Sequence, residues 1–275
     1  MTLRIGWFST GRGPMSRRLL AAAREEIVSG GLDASISVVF CNRESGEDEN
    51  TDGFLAQVRE YGLSLVCLSS RDFRRARGGS VVRKGDDLPR WRREYDREVI
   101  RLLDPYSFDI GVLAGYMLIF CEEAAAHWDL LNLHPAEPGG PKGVWQDVIW
   151  KLIETRAVRA GVMIHLATPE LDEGPPASYC TYAIRGAEFD PLWEAISGLT
   201  LQDIKSAEGE QNALFREIRR QGVTREIPLV IETLRAFADG RVRILEKRLV
   251  DKDGNSMGPM DLSRAIEAAV ASASA

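Results

Sequence analysis

The sequence predicts an α/β fold built on a mostly parallel, Rossmann-like sheet flanked by helices. Two observations support this fold class. Short apolar runs of strand length alternate with longer amphipathic runs of helix length, and the short runs are apolar on both faces. Strands buried on both faces are typical of parallel sheets, because the crossover helices cover both sides.

The predicted elements follow one another in a regular order. Strands are expected at 3–9, 36–41, 63–69, 108–115 and 130–134, with helices at 14–31, 51–62, 88–105 and 122–129. After these we expect a helix at 144–154, an antiparallel strand pair at 160–168 and 175–184 late in the sheet, a mixed polar helix at 206–222, and a helix, turn and short strand at 228–244. Ligands of such sheets bind at the carboxyl ends of the strands, so functional residues are expected there.

We predict a single domain over residues 1–275. Its core would be 1–184 and 228–246, with an insertion at 185–227 and a flexible tail at 263–275. The tail is expected to fray, because nothing long follows it to pack against.

Composition and charge narrow the class of function. The 275 residues are 44% apolar and carry a net charge of -6, which argues against a general nucleic-acid surface. The chain has no uncharged apolar run of roughly 18 residues, the length of a membrane span, and its first residues lack a signal-peptide pattern. We therefore expect a cytoplasmic protein with neither a membrane nor a nucleic-acid partner; a homodimer remains open.

Two local features leave alternatives open. Cys41, Cys67, Cys121 and Cys180 lie far apart without metal-ligand spacing, which favours buried free thiols over a metal site or disulfides, and no metal is expected. The basic segment 71–85 is either a solvated loop or a local contact for an anion or substrate.

The first candidate site is the loop Ser9–Arg18, between the first strand and the first helix. Free N–H groups and the helix dipole favour an anion there, and Gly11 and Gly13 permit a close approach. Ser16 replaces the third glycine of a dinucleotide fingerprint, which disfavours NAD. A phosphate site and a plain tight turn both remain open, since Pro14 has no N–H to donate.

The second candidate is the end of the strand at 130–134. Asn132 and His134 are two residues apart, so their side chains share one face. An amide donor beside an imidazole can hold a developing oxyanion while the imidazole moves a proton. The alternative for His134 is a histidine with a purely structural role, whose hydrogen bonds are satisfied.

The third candidate is the turn at 169–176. Asp172 in this turn either is solvated or reaches His134, orients the ring and raises the pKa of His134.

These segments together resemble the folate-dependent formyltransferase family. The resemblance rests on NLHP (132–135), Gly143, MIHLATPELDEGP (163–175) and YDREVIRLLDPYSFDIGVLAGYMLIF (95–120), in one register over residues 3–184. It implies transfer of a formyl group from 10-formyltetrahydrofolate, the donor co-substrate, to a small-molecule amine. That amine would be phosphoribosylglycinamide, of purine biosynthesis, or a related phosphorylated or sugar amine.

The resemblance also implies roles for individual residues. Asn132 and His134 would polarise the formyl group and hold the oxyanion, and Asp172 would position His134 and assist proton transfer. The pterin would be held by Met117, Leu118, Ile119, Thr168, Pro169, Glu170 and Leu171. The phosphate of the amine substrate would face Gly11, Arg12 and Gly13.

The chain departs from the family pattern on the acceptor side. Ala136-Glu137-Pro138-Gly139 replaces Ser-Leu-Leu-Pro, Pro14 and Met15 replace Ser and Asn, and Val223, with Arg225 and Glu226 nearby, stands where a glutamate would touch the ribose. Three alternatives stand beside this transferase. A methionyl-tRNA formyltransferase is disfavoured, because the chain is acidic, and two others stay open. One is a formyltetrahydrofolate deformylase, which would use water at the same residues, and the other is a non-catalytic phosphosugar- or nucleotide-binding protein.

Overall fold

The computed structural model describes residues 2–81, 88–169 and 172–273. The chain divides into two compact units. The first unit comprises Met1–Asn132, Leu166–Gly174 and Leu234–Ser256, and the second comprises Leu133–His165, Pro175–Thr233 and Met257–Ala275.

The first unit alternates strands and helices as predicted. Its elements are β1 (Leu3–Ser9), α1 (Pro14–Val28), β2 (Ala34–Cys41), α2 (Glu49–Glu60), β3 (Leu65–Cys67), α3 (Ser70–Ala76), α4 (Arg90–Leu103), β4 (Ile110–Leu113), α5 (Glu122–His127) and β5 (Leu130–His134), whose last two residues belong to the second unit. The strand order is β5-β4-β1-β2-β3, and all these pairs are parallel. The predicted fold class is therefore confirmed.

The second half of the chain adds an antiparallel pair. Its elements are α6 (Trp145–Glu154), β6 (Arg159–Leu166), β7 (Pro176–Ala183), α7 (Asp190–Ala195), α8 (Leu201–Ala207), α9 (Ala213–Ala238), β8 (Arg243–Leu245), β9 (Arg248–Val250), β10 (Met260–Asp261) and α10 (Ser263–Ala273). In the second unit, β7 pairs antiparallel with β6 and parallel with β10. The predicted antiparallel pair is confirmed.

Strand β1 shows why the sheet of the first unit is buried on both sides. Trp7 and Phe8 are adjacent, so they point to opposite faces, and both are fully buried. On the Phe8 face, apolar side chains of β2, β4 and β5 pack against α4 and α5 in one core. Crossover helices thus cover this face of the sheet, as the apolar pattern of the strands predicted.

One helix replaces the two that the sequence predicted after residue 205. Helix α9 runs without a break from Ala213 to Ala238 and includes Pro228. Proline lacks an N–H and costs about 3 kcal/mol in a helix interior, so a break was expected. Residues on both sides of Pro228 are buried, among them Ile218 and Leu229, and this packing offsets that cost. No helix in the described part of the chain combines the length and the apolar character needed to cross a membrane.

Where the sequence led us to expect a frayed tail, Ser263–Ala273 form helix α10. Ile266 of this helix is fully buried. The Ser263 hydroxyl accepts a hydrogen bond from the Thr181 amide at 3.0 Å, and Glu267 pairs with Arg225 of α9 at 2.7 Å. These contacts within the second unit hold the segment that sequence alone left unpartnered.

Two further expectations need correction. The basic segment was expected to be a solvated loop or a local contact for an anion or substrate, but its first residues form helix α3. Ser69 caps this helix by accepting from the Asp72 amide at 3.1 Å. Residues 82–87 of that segment lie outside the described residues. The predicted single strand near residue 244 is a hairpin of β8 and β9, whose turn places Glu246 and Lys247 at positive φ.

The four cysteines are free thiols, as predicted; Cys41, Cys121 and Cys180 are buried and Cys67 is half-buried. Burial raises the pKa of Cys41 from 9.0 to about 12 and that of Cys180 from 9.0 to about 12. Between those pH values the folded protein keeps protons that the unfolded chain releases. The stability that these two neutral thiols contribute below pH 9 is therefore lost as the pH rises through this window.

We predict that the free energy of unfolding falls as the pH rises from 9 towards 12, by up to about 1.4 kcal/mol per pH unit for each such thiol. Urea unfolding at pH 8, 9, 10 and 11 measures this loss. The variant Cys180→Ala should show a shallower pH slope than the wild type, whatever its stability at pH 8. Parallel slopes for the two proteins would contradict the assignment.

Candidate active site

Strand β5 carries the two residues that the sequence singled out. Asn132 and His134 occupy alternate positions of this strand, so both side chains project from the same face. Asn132 is half-buried, and His134 is only 2% exposed. Pro135 follows directly and has no N–H for a ladder hydrogen bond, which helps to end the strand.

The ring of His134 has a defined protonation at one nitrogen. Its Nε2 lies 2.9 Å from the carbonyl oxygen of Pro141. A carbonyl oxygen only accepts hydrogen bonds, so Nε2 must carry the hydrogen. Nδ1 is therefore the nitrogen whose protonation can change, and it acts as a base in the neutral ring and as a donor in the imidazolium.

The loop after β5 explains how Pro141 reaches the ring. The Gly140 amide donates to Glu137 O at 2.8 Å, which closes a turn. Gly139 and Gly143 have φ of 77° and 109°, a region that favours glycine. The residues AEPGG, which depart from the family pattern, thus form a tight turn that returns the chain to His134.

His165 is a neighbour that the sequence analysis did not select. It lies on β6, is 2% exposed, and its ring meets that of His134 edge to face, with centroids 6.1 Å apart. The signal that could have found it is its position near the carboxyl end of a predicted strand. The ladder of β6 with β7 shifts register between Ile164 and His165.

Asp172 lies in the segment Leu166–Gly174 of the first unit. It is half-buried and has a φ of 56°, a left-handed conformation that asparagine and aspartate adopt more readily than other residues with a Cβ. Thr168 and Pro169 of the same segment are half-buried. Glu170 and Leu171, also predicted to hold the pterin, lie outside the described residues.

The structure links two of the predicted binding segments through Thr10. The Thr10 amide donates to Gly115 O at 3.1 Å, and its hydroxyl accepts from the Met117 amide at 3.0 Å. Both contacts lie within the first unit. The Gly11 loop and the segment of Met117, Leu118 and Ile119 are thus held together by Thr10, a residue of the first candidate loop to which the sequence assigned no role of its own.

The first loop is a tight turn whose amides are partly engaged. Gly11 has a φ of 69°, and a Cβ there would come within 3.2 Å of the Phe54 ring, so this position requires glycine. Its amide already donates to Ser9 Oγ at 3.1 Å. Gly13 faces open space where a Cβ would be added, and the Arg12 side chain is exposed.

Arg225 and Glu226 lie near the position at which the family resemblance implies a ribose-contacting glutamate. Both have structural partners in the second unit. Glu226 is 4% exposed and pairs with Arg219 at 2.6 Å. Arg225 pairs with Glu267 and lies over the Tyr182 ring, 4.3 Å from its centroid. Helix packing therefore accounts for both charged side chains.

Comparison with known proteins identifies the family. The formyl transferase family matches residues 3–184 of this chain. The chain belongs to the formyl transferase family. A phosphoribosylglycinamide formyltransferase of Escherichia coli (strain K12) is 37% identical over 86 residues, which are 30% of this chain and 40% of that relative. The matched segment therefore spans less than half of the relative's length.

Solved structures show the same fold. A phosphoribosylglycinamide formyltransferase of Coxiella burnetii has a TM-score of 0.64 at 17% identity, covering 95% of this chain and 100% of that one. Glycinamide ribonucleotide transformylase 1 of Symbiobacterium toebii has a TM-score of 0.60 at 20% identity, covering 91% and 94%. A formyltetrahydrofolate deformylase of Burkholderia mallei has a TM-score of 0.59 at 16% identity, covering 91% and 70%.

Proposed function

We propose that this protein transfers a formyl group from 10-formyltetrahydrofolate to an amine by direct attack through a tetrahedral intermediate. Family membership over residues 3–184 supports the reaction class. The observation that carries the proposal is the end of β5, where Asn132 precedes a buried His134 whose Nε2–H is bound to Pro141 O. In the neutral ring that contact makes Nδ1 the basic nitrogen, which would be the one that transfers a proton.

The residues would divide the chemistry as follows. The amine nitrogen bonds to the formyl carbon, the bond from that carbon to the folate nitrogen breaks, and the proton lost by the amine passes to the folate nitrogen. The Asn132 amide would donate to the oxyanion, because donors placed where charge develops lower the barrier most. His134 would exchange the proton through Nδ1, with Asp172 assisting.

The pterin would bind main-chain groups of Met117, Leu118 and Ile119, together with Thr168–Leu171. The first of these segments fits the role because its backbone is fixed. The Met117 amide donates to Thr10 Oγ1 at 3.0 Å, and Ile119 O accepts from Arg92 at 2.7 Å. The contacts leave Leu118 between two anchored residues, while the Met117 side chain is 59% exposed.

Phosphoribosylglycinamide is the first acceptor to test, which would place the protein in purine biosynthesis in the cytoplasm. Gly11, Arg12 and Gly13 would face its phosphate. The exposed Arg12 and the open space at Gly13 favour this contact. The Gly11 amide already donates to Ser9, so this amide would not contact the phosphate and fewer amides of the loop would be left to bind it. A smaller or unphosphorylated amine is therefore the second acceptor class.

The fold is also that of a formyltetrahydrofolate deformylase, in which water would replace the amine. One experiment separates the two reactions. The protein is incubated with 10-formyltetrahydrofolate, alone and with each amine, phosphoribosylglycinamide first. Formylated amine, identified by its mass, supports the transferase; formate released equally with and without amine identifies a deformylase. Absence of both products, with no rise in melting temperature on adding a folate analogue, would leave the non-catalytic binding protein.

A further inference from the structure

Helix α4 carries an ion pair that is fully buried in the first unit. Arg92 and Asp96 lie one helical turn apart, and Arg92 Nη2 is 3.0 Å from Asp96 Oδ1. Arg92 is 1% exposed and Asp96 is 0% exposed. Arginine and aspartate are seldom fully buried, so this pair calls for a physical reason.

The pair holds the main chain that follows β4 at two points. Arg92 Nη2 donates to Ile119 O at 2.7 Å, and Asp96 Oδ2 accepts from the Cys121 amide at 2.7 Å. The intervening Phe120 stacks on Tyr116, with ring centroids 4.9 Å apart and planes 11° from parallel. The segment Tyr116–Cys121 is therefore held by charge-assisted hydrogen bonds from α4 and by stacking between two of its own rings.

Stability alone gives a poor account of this arrangement. Buried ion pairs often contribute little, and apolar side chains of similar volume can replace them without loss. Within the described part of the chain, Arg92 Nη1 and the Tyr116 hydroxyl are buried without a hydrogen-bond partner, which adds a further cost. What the pair does supply is a fixed position for the backbone from Ile119 to Cys121.

We propose that Arg92 and Asp96 are positioning residues that set the main chain of Met117, Leu118 and Ile119 for binding the folate. The inference rests on the proposed function, since it takes these three residues as the pterin-binding segment. Neither side chain needs to touch the reactants. Their effect passes through Ile119 O and the Cys121 amide, so it falls on the affinity for the formyl donor more than on turnover.

The test compares three variants with a matched control. Arg92→Met breaks the pair, Arg92→Lys keeps a charge and donors, and the double variant Arg92→Met/Asp96→Leu removes both charges and so avoids an unpaired buried carboxylate. The control is Arg97→Met on the same helix, whose pair with Glu123 spans 2.6 Å but is exposed at the surface.

Two readouts decide the outcome. The double variant should raise the KM for 10-formyltetrahydrofolate about tenfold or more, as expected for lost hydrogen bonds to charged groups, with kcat and the KM for the amine nearly unchanged. Arg92→Lys should recover part of the loss. Hydrogen exchange at residues 116–121 should be faster in the double variant than in Arg97→Met, at equal global stability.

The results separate this inference from the proposed function. A double variant that folds with wild-type KM and wild-type exchange at residues 116–121 overturns the positioning role. If the wild type neither binds nor uses folate, the proposed function fails, and faster exchange in the double variant then still assigns the pair to fixing this segment. Unchanged exchange in that case overturns both.

Discussion

The variant His134→Ala should lower kcat for formyl transfer by about 10²–10⁴-fold, the usual contribution of a positioned acid–base group. The binding of a folate analogue should change little. The reason is that Nε2–H of the ring donates to Pro141 O, which makes Nδ1 the basic nitrogen that would exchange the proton. Steady-state kinetics and the melting-temperature shift caused by the analogue measure the two effects separately.

A second substitution at the same position sharpens this test. The amide nitrogen of the glutamine in His134→Gln can replace Nε2 as the donor to Pro141 O, but an amide is neither an acid nor a base near neutral pH, so it cannot relay a proton. This variant should therefore keep the loop after β5 in place and still lose turnover. His127→Ala is the control, because His127 is exposed at the end of α5. Turnover of His134→Gln close to that of the wild type would rule out proton transfer by this residue.

The fold of the first unit was predictable because its signals are local. Trp7 and Phe8 are both buried on successive positions of β1, and a strand apolar on both faces already indicates a parallel sheet with helices on each side. The same alternation placed Asn132 and His134 on one face. Sequence periodicity is sufficient to predict an element when that element needs only to bury a whole face, whichever residues cover it.

Features that depend on particular tertiary partners could not be predicted in this way. Pro228 signals a helix break unless the buried residues around it are known. Arg92 and Asp96 read as an ordinary surface pair at i and i+4, because nothing local shows that Ile119 and Cys121 close over them. The contact of His134 with Pro141 depends on the turn made by Gly139 and Gly143, so the protonated nitrogen of the ring became evident only from the structure.

The variant Phe8→Ala should destabilise the protein by about 3–5 kcal/mol, as expected for removing a buried aromatic side chain. Phe8 is fully buried at the centre of a ring cluster. Its ring centroid lies 5.6–6.1 Å from those of five others, which are Phe40, Phe108, Tyr116, Phe120 and Trp128. The cavity left behind would border strands and helices that cannot all move inward, so little of the loss is recovered.

Urea unfolding measures this loss, and two substitutions calibrate it. Phe8→Leu keeps most of the apolar volume, so it should cost less than Phe8→Ala, with the remaining difference from the wild type reflecting lost ring contacts. Phe73→Ala is the control, because Phe73 is only half-buried and packs at the edge of the same cluster. Phe73→Ala should therefore cost clearly less than Phe8→Ala. Equal losses at the two positions would mean that Phe8 is not the centre of this core, since its extra ring neighbours would then contribute nothing to stability.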